Sequence, residues 1–138
     1  MALAIVITLE KELGDASAAY AKAKSGKALA REAEKIDFAA RCKNVAQPST
    51  MLSESQAALI EQLKADGFDP AKMRVPPEHW YPAADGLKTV RALIAYVSAK
   101  LNDFKQPNPI LRDLRAVEAL LVAAEAAGVR FHFTKMNL

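Results

Sequence analysis

The chain has 138 residues, 51% of them hydrophobic and 25% charged, the balance of a folded globular chain and not of a disordered one. Its net charge of +3 is small, so it is not a strongly basic protein made for polyanions. The one cysteine, Cys42, excludes an intramolecular disulfide and a cysteine-cluster zinc site and suits a reducing cytoplasm, and no apolar run approaches the ~20 residues a membrane-spanning helix needs.

In chain order, Leu3 to Leu9 alternates with period two, with Leu3, Ile5, Ile7 and Leu9 on one face and Ala4, Val6 and Thr8 on the other. Both faces are nearly apolar, so a well-covered strand is expected, and the absence of a basic leader argues against a secretion signal. Thr8 then caps a short helix to Leu13, stopped by Gly14. Asp15 opens an alanine-rich helix to Lys24, and Ser25-Gly26 breaks it. From Lys27 to Lys43 one longer helix is predicted, with Leu29, Ala33, Ile36 and Ala40 as a thin apolar face. Gln47 to Thr50 is a loop.

Ser53-Glu54-Ser55-Gln56 has the form of a capping box, so a helix begins at Glu54, carries Leu59, Ile60 and Leu63, and ends at Gly67 with Phe68 folded back on Leu63. Asp69-Pro70 starts a short turn through Met73. Arg74 to Tyr81 contains Pro76-Pro77 and is irregular. After Pro82 or Asp85 comes a long amphipathic helix whose stripe is Leu87, Val90, Ile94, Val97, Leu101 and Phe104. Asn108-Pro109 opens its partner, with Ile110, Leu114, Val117, Leu121 and Ala124 facing inward and Gly128 as terminator. Val129 to Thr134 alternates again, Val129, Phe131 and Phe133 inward, Arg130, His132 and Thr134 outward.

These elements predict a helix-dominated α+β fold, four to six helices packed on a small sheet that contains the N-terminal and C-terminal strands, within a single globular domain spanning 1–138. The two terminal strands are each other's expected neighbours. The edge near Phe131 to Thr134, guarded only by Arg130 and Lys135, is expected to be open and suited to a homodimer by strand-edge pairing.

Candidate chemistry is sparse. Ser25-Gly26-Lys27-Ala28 resembles a phosphate loop in part, but Ala21 and Ala28 stand where the fingerprint needs glycine and serine or threonine, so a break between helices is expected. Two distant histidines without cysteine partners support neither a metal nor a cofactor. Cys42, with only Arg41 and Lys43 beside it, is expected to pack. The run Glu78-His79-Trp80-Tyr81 is the one concentration of versatile side chains and the candidate ligand-binding site. Its alternative is structural: Trp80 and Tyr81 plug the core while Glu78 and His79 face water. Lys27, Arg31 and Lys35 are the candidate nucleic-acid contacts, set against a solvated face as the expected role, because aromatics are few among them.

No catalytic signature is legible. The expectation is a cytoplasmic, non-enzymatic protein-interaction module, a regulator, adaptor or toxin-neutralising partner, with no membrane association; a small-ligand binder or enzyme using residues 74–85 and a weak nucleic-acid binder through residues 22–43 are the alternatives.

Overall fold

The alternating apolar termini do pair. In the computed structural model, which describes residues 3–53, 56–72 and 77–137, strand β1 (Leu3–Leu9) lies antiparallel to β2 (Phe131–Asn137), from Leu3 opposite Asn137 to Leu9 opposite Phe131. Between them run helices α1 (Asp15–Ala23), α2 (Lys27–Arg31), α3 (Ala33–Cys42), α4 (Gln56–Ala65), α5 (Ala83–Ala99) and α6 (Pro107–Ala127). The fold is therefore helix-dominated α+β, with the sheet made by the two ends of the described chain. Ile5, Ile7, Phe131 and Phe133 face the helices and join the stripes of α2, α3, α5 and α6 in a common apolar core.

The helix expected between Thr8 and Leu13 does not form. The strand continues instead: Leu9 pairs with Phe131 and the Glu10 N–H donates to Arg130 O at 3.0 Å, so the sheet takes the backbone groups a helix would use. Thr8 caps nothing and its hydroxyl meets that of Thr134 at 2.8 Å.

The helix predicted from Lys27 to Lys43 is broken at Glu32, whose backbone leaves the helical region at φ −120° and ψ 33°. The reason is a tertiary one. Its carboxylate accepts the N–H groups of Lys105 and Gln106 at 2.7 and 3.2 Å, tying the break to the start of α6. Burial opposes the charge on Glu32, but these donors and Lys35 outweigh it and hold its carboxyl below the usual range.

Ser25-Gly26 has a packing role. Gly26 sits at φ +115°, and a Cβ there would lie 2.4 Å from Ile5 O. Only glycine lets the start of α2 approach β1 so closely that Ile5 N–H donates to Gly26 O at 3.0 Å. The first amide of α2 deeper in the protein, that of Ala28, donates to the buried carboxylate of Asp113 on α6 at 3.1 Å. An anion does occupy this helix start, and it is the chain's own.

Helix α4 ends as its sequence predicts: Gly67 is left-handed at φ +86°, and Phe68 N–H donates to Leu63 O at 2.9 Å. Its expected start at Glu54 lies outside the described residues, as does Met73 at the end of the turn after Pro70. Although the best punctuated helix in the sequence, α4 is peripheral, and Leu59, Ile60 and Leu63 are only half-buried.

Helices α5 and α6 are the two largest contributors to the core, and the α6 stripe is buried as predicted. On α5 the stripe is rotated. Leu93 is fully buried while Ile94 is half-buried, and the helix stops at Ala99, so that Leu101 is exposed in a short 3-10 turn even though Phe104 still reaches the core. The rotation follows from Gly86: a Cβ there would stand 2.5 Å from the Phe131 ring, so the helix meets the sheet along its glycine.

The expected open edge at Phe131 to Thr134 is covered. Tyr81 exchanges both backbone bonds with Phe131, at 2.8 and 2.9 Å, and Ser53 N–H donates to Phe133 O at 3.0 Å. Backbone groups engaged in this way are not offered to a second copy of the chain.

Candidate functional site

The loop of 77–81 meets β2 at Tyr81, which bridges Phe131, and its side chains fall on opposite faces of the sheet. Tyr81 falls on the core side over Phe131, with ring centroids 6.4 Å apart, and its hydroxyl donates to Thr50 O. Trp80 falls on the opposite face and rests on the His132 ring, centroids 4.7 Å apart. Glu78 shares that face and brings Oε2 to 2.5 Å from His132 Nε2. On its other side, His132 Nδ1 lies 3.1 Å from both Phe133 O and Thr134 Oγ1, and Thr134 continues to Thr8.

Two expectations are thus overturned. His132, placed on the outward strand face, is completely buried, and Glu78, which faces water in the structural alternative, is its partner. Trp80 does not plug the core; it covers the histidine on the other side of the sheet. His79 alone remains in solvent, while its backbone N–H donates to Ser53 Oγ at 3.0 Å. The parity of the sequence carried the signal: Glu78 and Trp80 share a face, as do His132 and Thr134, and the pairing needed only the knowledge that Tyr81 meets Phe131. Of the candidate ligand-binding residues, the structure brings Glu78 and Trp80 together, sets Tyr81 on the core side and leaves His79 apart. With His132 closed off, the arrangement pins the loop to the sheet.

The candidate nucleic-acid residues are also drawn into the fold. Arg31 donates to Gln106 Oε1 at 2.9 Å, and Lys35 donates to Asp103 O at 3.0 Å while standing 3.6 Å from Glu32. Lys27 is half-buried at the start of α2. Cys42, expected to pack, is exposed at the end of α3.

Sequence reasoning missed an apolar cavity. Between β2, α3 and the 3-10 turn at Pro48–Met51 lies a cavity of about 190 Å³ that reaches the core. Ile36, Leu93, Leu114, Val117 and Phe133 form its walls, and Lys135, Glu34, Asp37 and Ser49 stand among its lining as the polar groups. A polar hollow shares Ala33, Glu34 and Lys135 with it and adds Arg31, Lys35 and Lys105. No local pattern announces such a cavity, because its lining comes from seven elements spread along the chain.

Among the described residues no helix is long and apolar enough to cross a membrane, and no group of three or more histidine, cysteine, aspartate or glutamate side chains is placed to hold a metal ion. Comparisons with known protein families, with characterised proteins and with solved structures find no match.

Proposed function

We propose that this protein binds a small molecule with an apolar body. The observation that carries this reading is the cavity between β2 and α3, whose volume of about 190 Å³ exceeds the roughly 150 Å³ at which an engineered apolar cavity already takes up benzene. Its walls are aliphatic and aromatic, and a few polar side chains, Glu34, Asp37, Ser49 and Lys135, stand among its lining, the combination that gives a ligand site both affinity and orientation. This keeps the small-ligand class read from the sequence and moves its site from residues 74–85 to α3 and β2.

The test is a titration with toluene, followed by amide NMR and by thermal unfolding. Binding shifts the resonances of Ile36, Leu93 and Phe133 and raises Tm with ligand concentration. Ala33→Leu, at a half-buried lining position, blocks both effects. Unchanged spectra at saturating toluene reject the reading.

A protein partner is the second reading, and one observation favours it. Phe38 is 53% exposed on α3, with the Arg41 guanidinium 5.8 Å from its ring centroid, and exposed aromatic and arginine side chains are the usual anchors of protein interfaces. Any partner engaging this face loses affinity with Phe38→Ala and with Arg41→Ala. A complex indifferent to both substitutions rejects it.

A further inference from the structure

The charges at the cavity specify more than an apolar body. Lys135 comes from β2, Glu34 and Asp37 come from α3, and all are among its lining residues. A ligand carrying only a carboxylate meets Glu34 and Asp37 as like charges; one carrying only an amine meets Lys135. A group with both signs satisfies both sides. The neighbouring hollow extends the positive side, since Lys135 is shared with it and Arg31, Lys35 and Lys105 also line it. Of the two acids there, Glu32 and Glu34, the former is committed to the Lys105 and Gln106 N–H groups.

Resting on the small-ligand reading above, we infer that the ligand is a free α-amino acid with a large apolar side chain. The side chain enters the cavity, the ammonium group meets Glu34 and Asp37, and the carboxylate meets Lys135. The size agrees. A phenyl ring fills roughly the space of an engineered 150 Å³ site, and the cavity of about 190 Å³ leaves room for the methylene that joins the ring to the zwitterion. Asp37 is held in place, since its Oδ1 accepts the Ser49 N–H at 3.3 Å, so that this carboxylate is oriented before a ligand arrives.

Isothermal titration with four probes decides it: L-phenylalanine, 3-phenylpropionate without the amine, 2-phenylethylamine without the carboxylate, and toluene without either. L-Phenylalanine is expected to bind most tightly, with each singly charged probe weaker by about tenfold or more, as the loss of one charge-assisted contact implies. Lys135→Met and Glu34→Gln, at exposed positions that leave folding intact, each erase the preference for L-phenylalanine over the probe lacking the corresponding group. If the three charged probes and toluene bind alike, the zwitterion inference falls while the apolar cavity remains a binding site. If none binds to the folded protein, both fall.

Discussion

The two helical halves of this protein are held by different forces. The α5–α6 pair presents broad stripes of leucine, valine and isoleucine and is buried by them, whereas the α1–α3 stretch is rich in alanine, contributes mainly Leu29, Ile36 and small side chains to the core, and buries no residue at all from α1. Alanine faces remove little apolar area from water. Directed polar ties compensate: Asp113 to the Ala28 amide, Glu32 to the amides before α6, and Tyr20, whose hydroxyl accepts the Ile7 N–H at 3.0 Å. Burial pushes the Tyr20 hydroxyl above its usual pKa range, keeping it neutral. A thin helix face is thus oriented by a few hydrogen bonds of defined direction, while a thick one is oriented by shape.

This contrast is open to attack, and the largest effect is expected in the thick half. Leu93→Ala or Leu114→Ala, both at fully buried positions, should cost about 2–5 kcal/mol in urea unfolding. Ile94→Ala should cost clearly less, because Ile94 is only half-buried; equal losses at 93 and 94 would contradict the rotation of α5. Next comes Gly26→Ala, which forces a Cβ against Ile5 O at a backbone angle of +115° and should cost about 1–3 kcal/mol in strain before the lost contact with β1 is counted.

Asp113→Ala follows at about 1–3 kcal/mol, since it strands a buried amide. Asp113→Asn, which keeps an acceptor oxygen, should recover part of that, and amide exchange at Ala28 should accelerate in the alanine variant well before exchange in α5. Uniform acceleration would mean that the carboxylate supports the whole core and not this one helix.

The smallest effect is a pH dependence. The Glu32 carboxyl is held below its ordinary value of 4.5 in the folded protein, so its contribution is complete above that value and is lost as the pH falls through the lower, folded-state pKa. Glu32→Gln should flatten this part of the acid limb of the stability profile while leaving α5–α6 contacts unchanged. An acid limb identical to that of the parent protein would show that the ties to Lys105 and Gln106 contribute nothing.

Periodicity and punctuation made most of the fold legible. The alternation of Leu3–Leu9 and of Phe131–Phe133 located both strands, and Gly67 and Gly128 marked two helix ends by the left-handed conformation each adopts. These signals are local, set by which backbone angles a residue tolerates and by which side chains share a face. The same locality explains the failures. Thr8 looks like a helix cap until β2 takes the backbone, and Lys27 to Lys43 looks like one helix until Glu32 is drawn to residues far along the chain. Helix α4, the clearest in sequence, lies at the margin because capping sets where a helix starts and stops and says nothing of what it packs against.

The sequence by itself therefore determined the class of fold, the pairing of its ends and the inward face of α6, all of which follow from the spacing of apolar residues along one segment. Tertiary structure alone decided that His132 lies buried against Glu78 and Trp80, that Asp113 caps α2, and that an apolar cavity opens beside Lys135, Glu34 and Asp37. Each of these joins residues separated by dozens of positions. Whether a polar side chain faces water or a partner depends on which segment crosses above it, and a cavity is the space several segments fail to fill, a property that belongs to none of them singly.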